Sequence, residues 1–312
     1  MSDGPKLIVG LGELLWDLLP TGRQLGGAPA NFTVMSARLG NYGVIASRIG
    51  RDQLGESART YLASMPADTT YLQTDEEQAT GSVSVTIHDG QPEYVIHQPV
   101  AWDFLAYTPE WLALAQRADA VCFGTLAQRH NVSRKTIHAF LAATPEGCLR
   151  VFDVNLRKPF YDARLLADSL KKATLLKINE IELPIVMALL DLAQDCGSDE
   201  SSILQCARLL LDHYPLQLVC VTMGSQGSVL VTREEHHRHY GIATEVADTV
   251  GAGDAFTAAL VKFYLQGVPL PVLNEAGNRW GSWVASQRGA MPELPEDVRA
   301  AIEARILEAT VQ

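Results

Sequence analysis

Basic residues are in short supply. The 312-residue chain carries 25 Lys+Arg against 36 Asp+Glu, a formal net charge of -11. That balance argues against nucleic acid or an anionic membrane as the main partner, because both reward a basic face. It does not exclude a nucleotide, which a few local groups can hold. Long apolar runs are missing as well, and none approaches bilayer-spanning length. The N-terminal MSDGPKLIVG has no basic segment leading into a long apolar one, so no signal peptide is expected. Cysteine is sparse: Cys122, Cys148, Cys196, Cys206 and Cys220 are scattered, with no C-x-x-C pair. This argues against a zinc site and predicts a cytoplasmic protein whose cysteines serve buried packing. No G-x-x-x-x-G-K-[ST] occurs, which removes the P-loop. Gly10-Leu11-Gly12 begins like a dinucleotide fingerprint, but Trp16 and its neighbours continue where the third glycine and a helix should stand. A Rossmann dehydrogenase is therefore disfavoured.

What remains is ordinary globular material, 47% hydrophobic and 20% charged. KLIVGLG (6–12), YGVIASRIG (42–50), ADAVCFG (118–124), LRVFDVN (149–155), ATLLKIN (173–179) and LQLVCVT (216–222) read as buried strands. Helical spacing appears in 28–40, 57–65, 133–143 and 201–214. Strands alternating with helices predict a mostly parallel sheet covered on both faces. One region differs. SVSVTIHDGQPEYVIHQ (82–98) alternates apolar and polar residues around Asp89-Gly90, a hairpin signal, and ELLWDLLP (13–20) is extended. They form either a small antiparallel sheet over a cleft or an edge hairpin of the main sheet, and periodicity does not choose between these.

DTVGAGDAF (248–256) is followed by AFTAALVKFYLQG, in which Phe256, Leu260, Phe263 and Tyr264 recur at helical intervals. Gly251, Ala252 and Gly253 thus lie at a helix N-terminus, where free amides point outward and glycine lets an anion approach. Asp254 sits in the first turn. Read alone it is first of all a helix cap. The functional reading makes it a general base that takes a hydroxyl proton while the amides hold a phosphoryl group.

DTVGAGDAF resembles the C-terminal signature of the ribokinase-like (PfkB) carbohydrate kinases, and GGAPANFTVMSARLG (26–40) resembles their N-terminal one. KINEIE (177–182) is similar to the family's N-x-x-E element, and TMGSQGS (222–228) to its T-x-G-x-x-G nucleotide loop. The resemblance covers essentially the whole chain. It implies a ribokinase-like three-layer α/β/α core with a mostly parallel sheet plus a small antiparallel β lid. Residues 1–312 would be one kinase domain, with the lid formed by about 13–25 and 80–104.

By position, the resemblance implies Asp254 as catalytic base with the Gly251, Ala252 and Gly253 turn as anion hole. Asp17, Gly27, Asn31 and Arg157 would bind the sugar. Asn179 and Glu182 would organise phosphates and magnesium, Glu182 through water; Thr222, Gly224, Gly227 and Asn278 would line ATP. Without the family, Asn179 and Glu182 read as a helix cap and an exposed first-turn glutamate, and Thr222–Gly227 as a turn after a strand. Arg157 reads equally as a surface salt bridge. Trp102 and Asp103 (VAWDF) would close over the sugar or simply pack. Trp280 and Trp283 are bulkier than the small residues common in the family there, which bears on the base pocket. A potassium ion near Asp248 and the Gly289 loop, and a homodimer through exposed lid strands, are further implications.

GELLWDLLP, GGAPANF, PVAWD, FDVNLR and ASQRGAMP look most like the fructokinase subgroup. The expected reaction is ATP-dependent transfer to a primary hydroxyl of a ketohexose, fructose giving fructose 6-phosphate. The alternatives are 2-keto-3-deoxygluconate kinase or ribokinase of the same fold and, from another class, a non-catalytic sugar- or nucleotide-sensing protein.

Overall fold

The computed structural model describes residues 4–20, 22–88, 91–193, 196–197 and 199–308. The strands are β1 (Leu7–Leu11), β2 (Leu15–Leu19), β3 (Gly22–Gly26), β4 (Tyr42–Gly50), β5 (Leu72–Asp75), β6 (Gly81–His88), β7 (Gln91–Ile96), β8 (Ala120–Gly124), β9 (Leu149–Asp153), β10 (Leu175–Asn179), β11 (Leu218–Thr222), β12 (Ser228–Val231) and β13 (His236–His239). The helices are α1 (Ala28–Arg38), α2 (Gln53–Leu62), α3 (Pro109–Ala115), α4 (Asn131–Ala142), α5 (Ala163–Leu170), α6 (Glu182–Leu189), α7 (Glu200–His213), α8 (Ala252–Leu265), α9 (Leu270–Ala285) and α10 (Glu296–Glu308).

Nine strands form one sheet in the order β13-β12-β11-β10-β9-β8-β1-β4-β5. From β5 to β11 neighbours run parallel, and β12 and β13 close one edge antiparallel. The parallel strands are apolar on both faces because both are covered. Val9, Leu11, Phe123 and Phe152 pack with α3 to α7, whereas Ile8, Cys122 and Val151 pack with α1, α8 and α9. All parallel strands therefore end at one edge, the usual place for a ligand in such sheets. Gly12-Glu13, Asp153, Asn179 and Thr222 all arrive there.

A second sheet has the order β3-β2-β6-β7. This resolves the open choice at 82–98 in favour of a separate sheet. Pairs β2–β3 and β6–β7 are antiparallel, and β2–β6 between them is parallel. The expected turn at Asp89-Gly90 lies outside the described residues. Trp16 and Leu25 anchor this sheet on α1 and α2 through a third apolar cluster. The helix expected over 57–65 starts earlier, because Asp52 caps it by accepting from the Gly55 amide.

The cysteines divide. Cys122, Cys148 and Cys220 are free and buried, as expected. Cys196 and Cys206 are joined as a disulfide, which corrects the expectation of packing alone. Cys206 lies on the inner face of α7, 6.5 Å from Cys196, Cα to Cα. Among the described residues no helix is long and apolar enough to cross a membrane.

Candidate active site

The N-terminus of α8 is the centre of the site. Its cap, Gly251, has φ 80, and a Cβ there would meet the Ala290 carbonyl oxygen at 2.6 Å. Only glycine suits both constraints. The Ala252 amide makes a long bond to Thr249 O at 3.3 Å. The amides of Gly253 and Asp254 stand where the helix itself supplies no acceptor, and so can serve an anion.

Asp254 is half-buried in that turn. Asn31 Nδ2 donates to its Oδ2 at 2.8 Å, bringing the two signature motifs together. Burial first, and then Asp153, push the Asp254 carboxyl from 3.8 up to about 6, against the Asn31 bond, Lys177 and Arg157. Such a carboxylate is charged at neutral pH yet holds a proton more strongly than a free aspartate. That suits it to general-base work.

The opposite wall is built by the turn between β3 and α1. Gly27 has φ 112, and a Cβ there would strike the Glu13 carbonyl oxygen at 2.5 Å. Its own carbonyl accepts from the Asn31 amide at 3.0 Å, which fixes Asn31 in the first turn of α1. Asp17 lies mid-strand in β2, half-buried, its pKa raised by burial and opposed by Arg157. Arg157 is exposed, and its charge reaches Glu13, Asp17 and Asp254. The structure thus brings Asp17, Gly27, Asn31, Arg157 and Asp254 to one corner.

Residues expected on the phosphate side behave differently. Asn179 Oδ1 accepts from the amides of Ile181 and Glu182 at 2.9 and 2.8 Å, and Glu182 Oε2 accepts from the Asn179 amide at 3.1 Å. This reciprocal pair closes the turn into α6, the cap expected without the family. Glu182 is buried, not exposed, and its Oε1 accepts from the Leu156 amide at 2.8 Å, tying α6 to the Arg157 loop. Thr222 ends β11, and Gly224 and Gly227 turn the chain into β12 with φ 53 and 86. A Cβ on Gly227 would meet His239 O at 2.1 Å. Asn278 is buried, and its amide donates to Ser228 Oγ at 2.7 Å and to Asn274. Asp248 Oδ2 accepts from the Gly289 amide at 3.1 Å, joining the two loops proposed around potassium. Trp280 is core, fully buried against α8. Trp102 and Asp103 are buried too, which answers their reading in favour of packing.

Four residues at the site escaped the sequence reading. Glu13 is 3% exposed, and its Oε2 has no hydrogen-bond partner among the described residues. Burial pushes its carboxyl from 4.5 up to about 7; a backbone bond and Arg157 work against this, and Asp254 and Asp153 with it. Lys177 and Asp153 form a buried pair, Nζ to Oδ1 3.1 Å, on adjacent strands β10 and β9. Lys177 Nζ lies 3.1 Å from where a Gly253 Cβ would stand, under the first turn of α8. Burial disfavours its charge, but Asp153, Glu182 and Asp254 outweigh burial and raise its pKa. Thr257 Oγ1 sits between Asp153 Oδ2 at 3.5 Å and Gly253 O at 2.9 Å. A signal for this pair existed: a charge inside a strand buried on both faces must find a partner.

Residues 20–297 match the pfkB family of carbohydrate kinases. The chain belongs to that family. Its carbohydrate-kinase relatives include a probable fructokinase-3 of Arabidopsis thaliana, 28% identical and aligned over 96% of this chain and 92% of the relative. Among solved structures it resembles an uncharacterized sugar kinase of Pyrococcus horikoshii, 25% identical, with a TM-score of 0.81 over 98% of this chain and 100% of that one. A fructokinase of Vibrio cholerae, solved with fructose, ADP and calcium ion bound, is 27% identical, with a TM-score of 0.78 over 97% and 99%. A pfkB carbohydrate kinase moves a phosphoryl group onto a sugar, and this chain has a carboxylate and an amide-lined turn side by side at the sheet edge.

Proposed function

We propose that this sugar kinase transfers the γ-phosphate of ATP to a primary hydroxyl of a ketohexose, with fructose giving fructose 6-phosphate. The observation that carries this reading is Asp254, oriented by Asn31 beside the free amides of α8. The acceptor hydroxyl meets the carboxylate, which takes its proton as the oxygen attacks the γ-phosphorus. The bond to the β,γ-bridging oxygen breaks, and the amides of Gly253 and Asp254 stabilise the charge on the transferring oxygens. The two functions of the motif thus serve different partners, proton and phosphoryl group. Base catalysis of this kind is worth about 10²–10⁴ in rate.

Asp17, Gly27, Asn31 and Arg157 would hold the sugar, with Asp17 accepting from hydroxyls. Thr222, Gly224 and Gly227 would line ATP, with Asn278 holding the base-side helix in shape. The donor set suits magnesium: each Glu182 oxygen accepts one amide bond and keeps a second acceptor position. No group of three or more metal-ligating side chains occurs among the described residues, as fits an ion carried mainly by phosphates and water. When bound, magnesium would neutralise phosphate charge. Lys177 lies beneath the same turn, its charge paired with that of Asp153.

Fructose is preferred over a sugar acid on charge. Glu13, Asp17 and Asp254 crowd the acceptor corner, and the cation they share is the exposed Arg157. An acidic acceptor such as 2-keto-3-deoxygluconate would bring a further carboxylate among them. The likeness to a fructokinase solved with fructose supports the same choice. The test is ADP release with MgATP and fructose, ribose, 2-keto-3-deoxygluconate, tagatose or adenosine, with and without potassium. Fructose should give the highest kcat/KM. No fructose-dependent release beside brisk turnover of another sugar would sink the assignment.

A further inference from the structure

Arg129 stands outside the cleft, and nothing in the transfer chemistry uses it. It nevertheless joins three separate segments. Its Nε and Nη2 donate to Asp103 Oδ1 and Oδ2, both at 2.8 Å, and Nη2 also donates to His97 O at 2.6 Å. His97 and Asp103 belong to the stretch that returns from β7 of the second sheet to the core. The guanidinium lies 3.9 Å from the Trp102 ring centroid and 4.8 Å from that of Phe160. Phe160 closes the turn that carries Arg157, its amide donating to Arg157 O at 2.8 Å. The Arg129 and Asp103 side chains are only 4% and 2% exposed, and Arg129 Nη1 has no partner among the described residues.

A buried ion pair is weak support for stability, since apolar residues of similar volume often do as well. A planar fork pressed by two rings does something an apolar filler does not. It fixes the relative orientation of everything that touches it. Here that is the base of the second sheet on one side and the Arg157 turn on the other. We propose that Arg129 is a positioning residue that holds the base of the second sheet and the Arg157 turn in one arrangement, so that both sides of the acceptor pocket are set together. This rests on the reading of Arg157 as an acceptor contact.

The test compares Arg129→Lys and Phe160→Ala with the unaltered protein by amide hydrogen exchange and steady-state kinetics. Lysine keeps the charge beside Asp103 but loses the fork and the flat stack. In Arg129→Lys, residues 97–104 and 155–161 should lose protection together, on the order of ten-fold, while α8 and β10 stay unchanged. Phe160→Ala keeps the Asp103 pair and should loosen 155–161, raising the KM for sugar while the KM for ATP stays put. Three results would overturn the proposal: response of one segment only in Arg129→Lys, faster exchange throughout the chain, or an unchanged sugar KM in an active Phe160→Ala enzyme. Absence of turnover in the unaltered protein would strike the kinase reading instead, and the exchange data would still decide the role of Arg129.

Discussion

Asn31 and Asp254, 223 residues apart in the chain, meet at 2.8 Å, and that bond opposes the burial that raises the Asp254 pKa. As the proposed base, Asp254 must be ionised to act, so activity should fall on the acid side with an apparent pKa of about 6. Replacing Asn31 by alanine removes a bond that favours the charged form. The acid limb of the kcat/KM profile should then move to higher pH, which a pH–rate series would record.

Gly251 carries a second expectation. At φ 80 with Ala290 2.6 Å from its would-be Cβ, alanine is excluded by both backbone and space. Gly251→Ala should displace the first turn of α8 and cut kcat at least ten-fold, in line with the sensitivity of catalysis to misplacement of about 1 Å. Kinetics alongside circular dichroism separates a displaced turn from an unfolded chain.

The Lys177–Asp153 pair predicts a stability effect. Lys177→Met leaves the Asp153 carboxylate buried without its cation at 3.1 Å. Loss of one partner of such a pair costs about 3–5 kcal/mol. Urea unfolding should show this loss, and Lys177→Met with Asp153→Leu should recover part of it.

Glu13 predicts a pH-dependent effect. Its carboxyl is pushed up to about 7 in the folded protein from an ordinary 4.5, mainly by burial. Folding therefore favours its neutral form. The stability tied to this group is full below pH 4.5 and is lost as pH rises through about 7. Glu13→Gln should be more stable than the unaltered protein at pH 8.5, by on the order of 3 kcal/mol, and nearly equal to it at pH 4.5. Thermal unfolding at the two pH values measures the difference.

Much of the architecture was readable in the residues. Runs such as LVCV and AVCF are apolar at every position because they are covered on both faces, and this marks parallel strands. The β12–β13 edge was hidden because His236–His239 is polar and short. In the site, Asp254 and Asn31 were legible through short motifs with glycine. Glu13 was not, being a charged residue in a stretch that looked merely extended. Asp153 and Lys177 carried a signal as charges inside buried strands, but which partner each takes shows only once β9 and β10 are laid side by side. The link through Arg129 was also invisible, because Arg129 precedes the helical stretch at 133–143 and its partners lie in two other segments.

The most direct test of the account is turnover of fructose and MgATP by Asp254→Asn, measured beside fructose binding to the same variant. The account predicts a loss of about 10²–10⁴ in kcat with fructose affinity retained. Turnover within a few-fold of the unaltered enzyme would contradict it, and would remove Asp254 as the base.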